Sequence, residues 1–112
     1  MHRFAILAAL VAVLSHGAAK AQDPGDPARG LAYAKRVCAE CHGVGANDKE
    51  SPNAAAPTFG AVANTSGMTG RALVVWMESP HPSMPQLIVP VDDRNDLIAY
   101  ILGLKDNGKV SQ

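Results

Sequence analysis

The sequence predicts an all-α domain of three to four short helices separated by proline-rich loops. Three observations lead there. Apolar residues return at the helical period in the later segments, residues that start and stop helices bracket them, and no stretch alternates convincingly as a strand. The first predicted helix starts at Asp26, a side chain suited to cap it, with Pro27 at the first helical position, where its missing N–H costs nothing. It runs through residues 28–37, and Gly30 and Ala34, four apart, share one face that lets another helix approach closely. Gly43 and Gly45 break it after His42. Residues 47–59, with Pro52 and Pro57 and no sustained period, read as loop.

A second helix fits residues 69–79, with Thr69 as its cap and Pro80 as its stop. Leu73, Trp76 and Met77 fall at helical spacing and are expected to face the core. Met68, among Thr65, Ser66, Gly67 and Thr69, sits in a loop composition with little to fix it. The last helix is the clearest. Asp92 and Asp93 occupy its first turn, Leu97, Ile98, Ile101 and Leu104 or Lys105 follow the 3.6 period, and Lys105 and Gly108 suit its end.

The N-terminus reads as an export leader rather than as part of the domain. His2 and Arg3 precede an uninterrupted apolar run over residues 4–14, and Ala19-Lys20-Ala21 places small residues where a signal peptidase cuts. That run is 11 residues, short of the roughly 20 a membrane-crossing helix needs. Cleavage after Ala21 predicts a leader at residues 1–21 and a domain at 22–112 that is exported to the periplasm. The remaining 91 residues hold 8 basic and 10 acidic side chains, a formal charge of −2 that gives no support for nucleic-acid binding. A chain of that size has little surface to bury and commonly needs a covalent or metal staple.

The staple is written at Cys38-Ala39-Glu40-Cys41-His42. This spacing is that of c-type haem attachment: two thiols add across the two vinyl groups of one porphyrin, and the next residue offers an imidazole to the iron. Three other readings stand beside it. A thioredoxin-like dithiol needs a strand–helix setting. A zinc site needs a fourth ligand, for which His81 is available without a zinc-site spacing around it. A disulfide between cysteines so close closes only a tiny loop and stabilises little.

The chain resembles the class I cytochrome c family along essentially its whole exported length. The residues that carry the resemblance are Gly30, the run from Cys38 to Gly43, Ala56-Pro57-Thr58-Phe59, residues 80–85, and Asp96-Leu97-Ile98-Ala99-Tyr100. It implies the cytochrome c fold around one covalent haem c, in which the first and last helices cross with Gly30 packed on Tyr100. One departure is that an aromatic stands at Tyr33 rather than at Ala34, about 100° round the helix. The resemblance also implies that the Pro57 carbonyl accepts a hydrogen bond from the second nitrogen of the His42 ring, fixing its tautomer.

For the far side of the iron, Met84 lies in His81-Pro82-Ser83-Met84-Pro85, whose prolines keep the backbone extended and stiff. The resemblance points the same way, since the family's distal methionine follows a helix-ending proline such as Pro80. His81 is the main rival. Met77 is expected in the apolar stripe and against the haem face, while Trp76 and Tyr100 are candidates for haem contact or its supporting shell.

A His42/Met84 pair makes the expected function single-electron transfer between redox partner proteins, without enzyme activity or a stable oligomer. Lys35, Arg36 and Lys49 near the motif are candidates for steering an acidic partner. Two other classes remain open at this point: an enzyme or gas-binding haem protein with an open distal position, and a non-haem thiol or zinc module.

Overall fold

The computed structural model describes residues 25–79, 84 and 88–106. Among the described residues four helices follow in order: α1 (Pro27–Val37), α2 (Phe59–Ala63), α3 (Gly70–Glu78) and α4 (Val91–Gly103). This is the all-α architecture of short helices and loops that the sequence predicts. The expected leader over residues 1–21, His81 with its neighbouring prolines, and Gly108 lie outside the described residues.

Each helix begins for a local reason. The Asp26 carboxylate accepts from the Ala28 and Arg29 amides at 2.8 and 3.3 Å, and Pro27 follows at the first helical position. Thr58 Oγ1 accepts from the Ala61 amide at 3.2 Å and starts α2, which lies at the end of and just beyond the stretch read as loop. Thr69 Oγ1 accepts from Ala72 at 3.1 Å and starts α3. Helix α4 has no side-chain cap. Pro90 precedes it, and Asp92 and Asp93 in its first turn face the positive end of the helix dipole.

Helices α1 and α4 cross and pack together, and Gly30 is the point of closest approach. A Cβ on Gly30 would lie 2.1 Å from the Asp96 carbonyl oxygen and 2.9 Å from Tyr100 Cβ. No side chain fits there, so glycine is required if the helices are to touch. Ala34, one turn on, is fully buried, and Tyr33 is also buried, with the Arg36 guanidinium 5.6 Å from its ring centroid. The core continues through Phe59, Ala63, Leu73, Val89, Leu97, Tyr100 and Ile101.

At the N-terminal end of this crossing the buried Asp96 carboxylate gathers three donors. It accepts from the Asp26 amide at 2.6 Å, from Arg29 Nε at 2.7 Å and from Arg29 Nη2 at 3.1 Å. Those bonds, the Arg29 side chain first and the Asp26 amide second, hold the Asp96 carboxyl below the usual carboxylate range. A buried charge is thereby paired and hydrogen-bonded on both oxygens.

Two sequence expectations change. Trp76 does not face the core: it is 57% exposed, while Leu73 is buried and Met77 is half-buried against the cluster. Leu73 and Met77 are four apart and share a stripe, and Trp76 lies 100° round from Met77, off the line facing α4. Met68 is not loosely held. It is buried, its amide donates to the Thr65 carbonyl at 3.0 Å, and its own carbonyl accepts from Lys105 Nζ at 2.5 Å.

Candidate haem-attachment site

Cys38 caps the C-terminus of α1, its amide donating to the Ala34 carbonyl at 2.8 Å. The chain keeps turning after it. The Cys41 and His42 amides both donate to the Cys38 carbonyl, at 3.2 and 2.9 Å. Cys41 and His42 thus stand three and four residues on from Cys38, each one turn away from it. All three are half-buried. Burial pushes the Cys38 thiol up to about 11, so at neutral pH it is a thiol and not the thiolate that a redox dithiol site needs.

The loop after the motif folds back and fixes it. The Phe59 amide donates to the Gly43 carbonyl at 2.8 Å, the Gly43 amide to Ser51 Oγ at 2.9 Å, and the Asn53 amide to the Cys41 carbonyl at 3.1 Å. A Cβ on Gly43 would lie 2.5 Å from the Glu50 carbonyl oxygen, so this return needs glycine. Inside the loop, Asp48 Oδ2 accepts from the Gly45 amide at 2.7 Å and Asn53 Oδ1 from the Ala55 amide at 2.9 Å. The Asn53 bond, to the amide two residues on, is the side-chain turn that Asn favours, while Asp48 reaches three residues back to close the bend.

The fold-back brings Pro57 to His42. The imidazole Nδ1 is 2.7 Å from the Pro57 carbonyl oxygen. A carbonyl only accepts, so Nδ1 carries the proton, and in the neutral ring the Nε2 lone pair is left for another partner. Phe59 holds the ring from the side, with centroids 5.5 Å apart and planes tilted by 50°. Sequence reasoning gave Phe59 no such role. Its only signal was its place directly after Pro57-Thr58.

Tyr100 is buried and donates its hydroxyl to the Val44 carbonyl at 2.6 Å, which ties α4 to the residue just past the motif. Met77 is half-buried, while Pro57 and Trp76 are exposed. Met84 is 38% exposed. Among the described residues no three His, Cys, Asp or Glu side chains converge as a metal cluster would need.

The cytochrome c-552 of Bradyrhizobium diazoefficiens is 33% identical to the chain over 105 residues, which span 94% of this chain and 97% of that protein. The chain belongs to the cytochrome c family. No protein-family model and no solved structure matches it. A cytochrome c implies a covalently held haem c and redox partners, and the residues present fit that group. The cytochrome's two thiols and one imidazole lie on a single turn, the imidazole tautomer is fixed with Nε2 available, and Trp76 and Met84 are exposed apolar side chains. A haem iron takes one protein ligand per face and so requires no cluster of three.

Proposed function

We propose that this cytochrome is a periplasmic single-electron carrier of the class I type, with haem c tethered by Cys38 and Cys41 and its iron held by His42 and Met84. The observation that carries the reading is the His42–Pro57 pair: Nδ1 is engaged at 2.7 Å, so the ring is oriented and its Nε2 lone pair is directed to ligation. Bound haem supplies the one-electron Fe(III)/Fe(II) couple. The chain supplies the rest. His42 and Met84 would both hold the iron of that haem, leaving no open position on it for a substrate. The Met84 thioether favours the reduced form and raises the potential.

Tyr100, through Val44, and Phe59, against the imidazole, keep the proximal side rigid. Pro57, Trp76 and Met77 complete the shell around the macrocycle. Lys35, Arg36 and Lys49 are all exposed and suit a transient encounter with an acidic patch on a partner, with the cytochrome itself a monomer. The basic start, apolar run and small-residue site over residues 1–21 support export. Among the described residues no helix is long and apolar enough to cross a membrane.

Carbon monoxide tests the carrier role against the gas-binding or enzymatic alternative. The reduced holoprotein is expected to leave carbon monoxide unbound at neutral pH, as an iron with two protein ligands does. Rapid binding would show an open distal position and overturn the carrier assignment.

A further inference from the structure

Arg94 joins the two ends of the segment that carries Met84. Helix α3 ends at Glu78, and Ser79 closes it by donating its hydroxyl to the Val75 carbonyl at 2.6 Å. Helix α4 begins after Pro90, whose carbonyl accepts from the Arg94 amide at 2.8 Å. Arg94 therefore stands in the first turn of α4, and its Nη1 reaches back to Glu78 Oε1 at 2.5 Å. Its side chain is only 17% exposed, against 55% for Glu78. Its Nε is buried with no hydrogen-bond partner. Among the described residues a nearly buried guanidinium thus depends on one carboxylate, and that carboxylate is the last residue of α3.

We infer that Arg94 is a positioning residue for Met84, acting by fastening the end of α3 to the start of α4. The inference rests on the proposed His42/Met84 ligation and adds to it the device that holds the distal ligand in place. The ion pair and the buried Val89 bring the end of α3 and the start of α4 together, so the entropy of joining those two ends would not have to be met by an iron–sulfur bond alone. Releasing the pin lets the α3 end move away from α4 and lowers the effective concentration of the thioether at the iron. A competing ligand then displaces it more easily.

The test is an imidazole titration of the oxidised holoprotein, following loss of the weak red methionine-to-iron band. Arg94→Met keeps the apolar stem and removes the charge. It is expected to raise the apparent imidazole affinity roughly fivefold, the ratio set by the upper end for a partly exposed ion pair. Glu78→Gln, at an exposed position that folding tolerates, is expected to move it the same way, and Arg94→Lys to restore part of the wild-type value. The double variant is expected to do no more than Arg94→Met alone.

Lys105→Met, which removes the bond to the Met68 carbonyl at the other end of α4, is expected to lower thermal stability without changing imidazole affinity. Wild-type affinity in both Arg94→Met and Glu78→Gln, with the red band present in the parent, would overturn the positioning role. Absence of that band from the parent would overturn the ligation reading, and the positioning role with it.

Discussion

His42 Nδ1 and the Pro57 carbonyl oxygen stand 2.7 Å apart although 15 residues separate them in the chain. The contact exists because the intervening loop is tied to the motif at three backbone points, through Gly43, Ser51, Asn53 and Phe59. It fixes which imidazole nitrogen carries the proton and strengthens the ring as a donor, which in the proposed ligation would favour the oxidised iron. Proline contributes by locking its own φ and so aiming the carbonyl.

Pro57→Gly frees that torsion and weakens the bond. The reduction potential is expected to rise by roughly 20–40 mV, the equivalent of losing part of one hydrogen bond. Voltammetry of the holoprotein reads this directly. An unchanged or lowered potential would show that the carbonyl does not tune the proximal ligand.

The helix crossing gives a sharper stability contrast. Gly30→Ala places a methyl group 2.1 Å from the Asp96 carbonyl, which is backbone and has no rotamer to yield. A loss of about 3 kcal/mol or more in denaturant unfolding is expected, by separation of α1 from α4. Gly103→Ala meets nothing within 4 Å and is expected to be neutral or to stabilise by up to about 1 kcal/mol through helix propensity. Equal effects at the two sites would remove the crossing as the reason for Gly30.

Acid stability follows from Asp96. Its folded pKa is lowered, first by Arg29 and then by the Asp26 amide. A carboxylate with a depressed folded value contributes stability that is fully present above its unfolded pKa of about 3.9 and is lost as pH falls through the folded value. The wild-type protein is therefore expected to lose stability below about pH 4. Asp96→Asn is expected to be less stable at neutral pH and to show a flatter acid limb. Thermal melts across pH 2–7 compare the two, and parallel curves would contradict the assignment.

The parts of this fold with a local signature were legible in the sequence. Asp26-Pro27 announced α1, Thr69 announced α3, and the apolar period with Asp92 and Asp93 announced α4. Helix α2 was not legible, since Phe59–Ala63 is too short to show a period and follows a proline-containing loop. Trp76 was misplaced because spacing alone does not say where a stripe ends. The pairs Arg29–Asp96 and Arg94–Glu78 were missed for a different reason. They join residues far apart in the chain, and side chains that meet only on folding leave no local pattern. The Cys38–His42 motif is the opposite case, because all its chemistry lies within one turn.

The central claim is that His42 and Met84 hold one covalent haem. The measurement that tests it most directly is a visible absorption spectrum of the exported, oxidised protein from the Soret region to the far red, beside that of Met84→Ala. The account predicts a Soret peak in both and a weak red methionine-to-iron band in the parent alone. A Soret peak without that band in the parent would contradict Met84 ligation, and no Soret peak after competent haem maturation would contradict the haem itself.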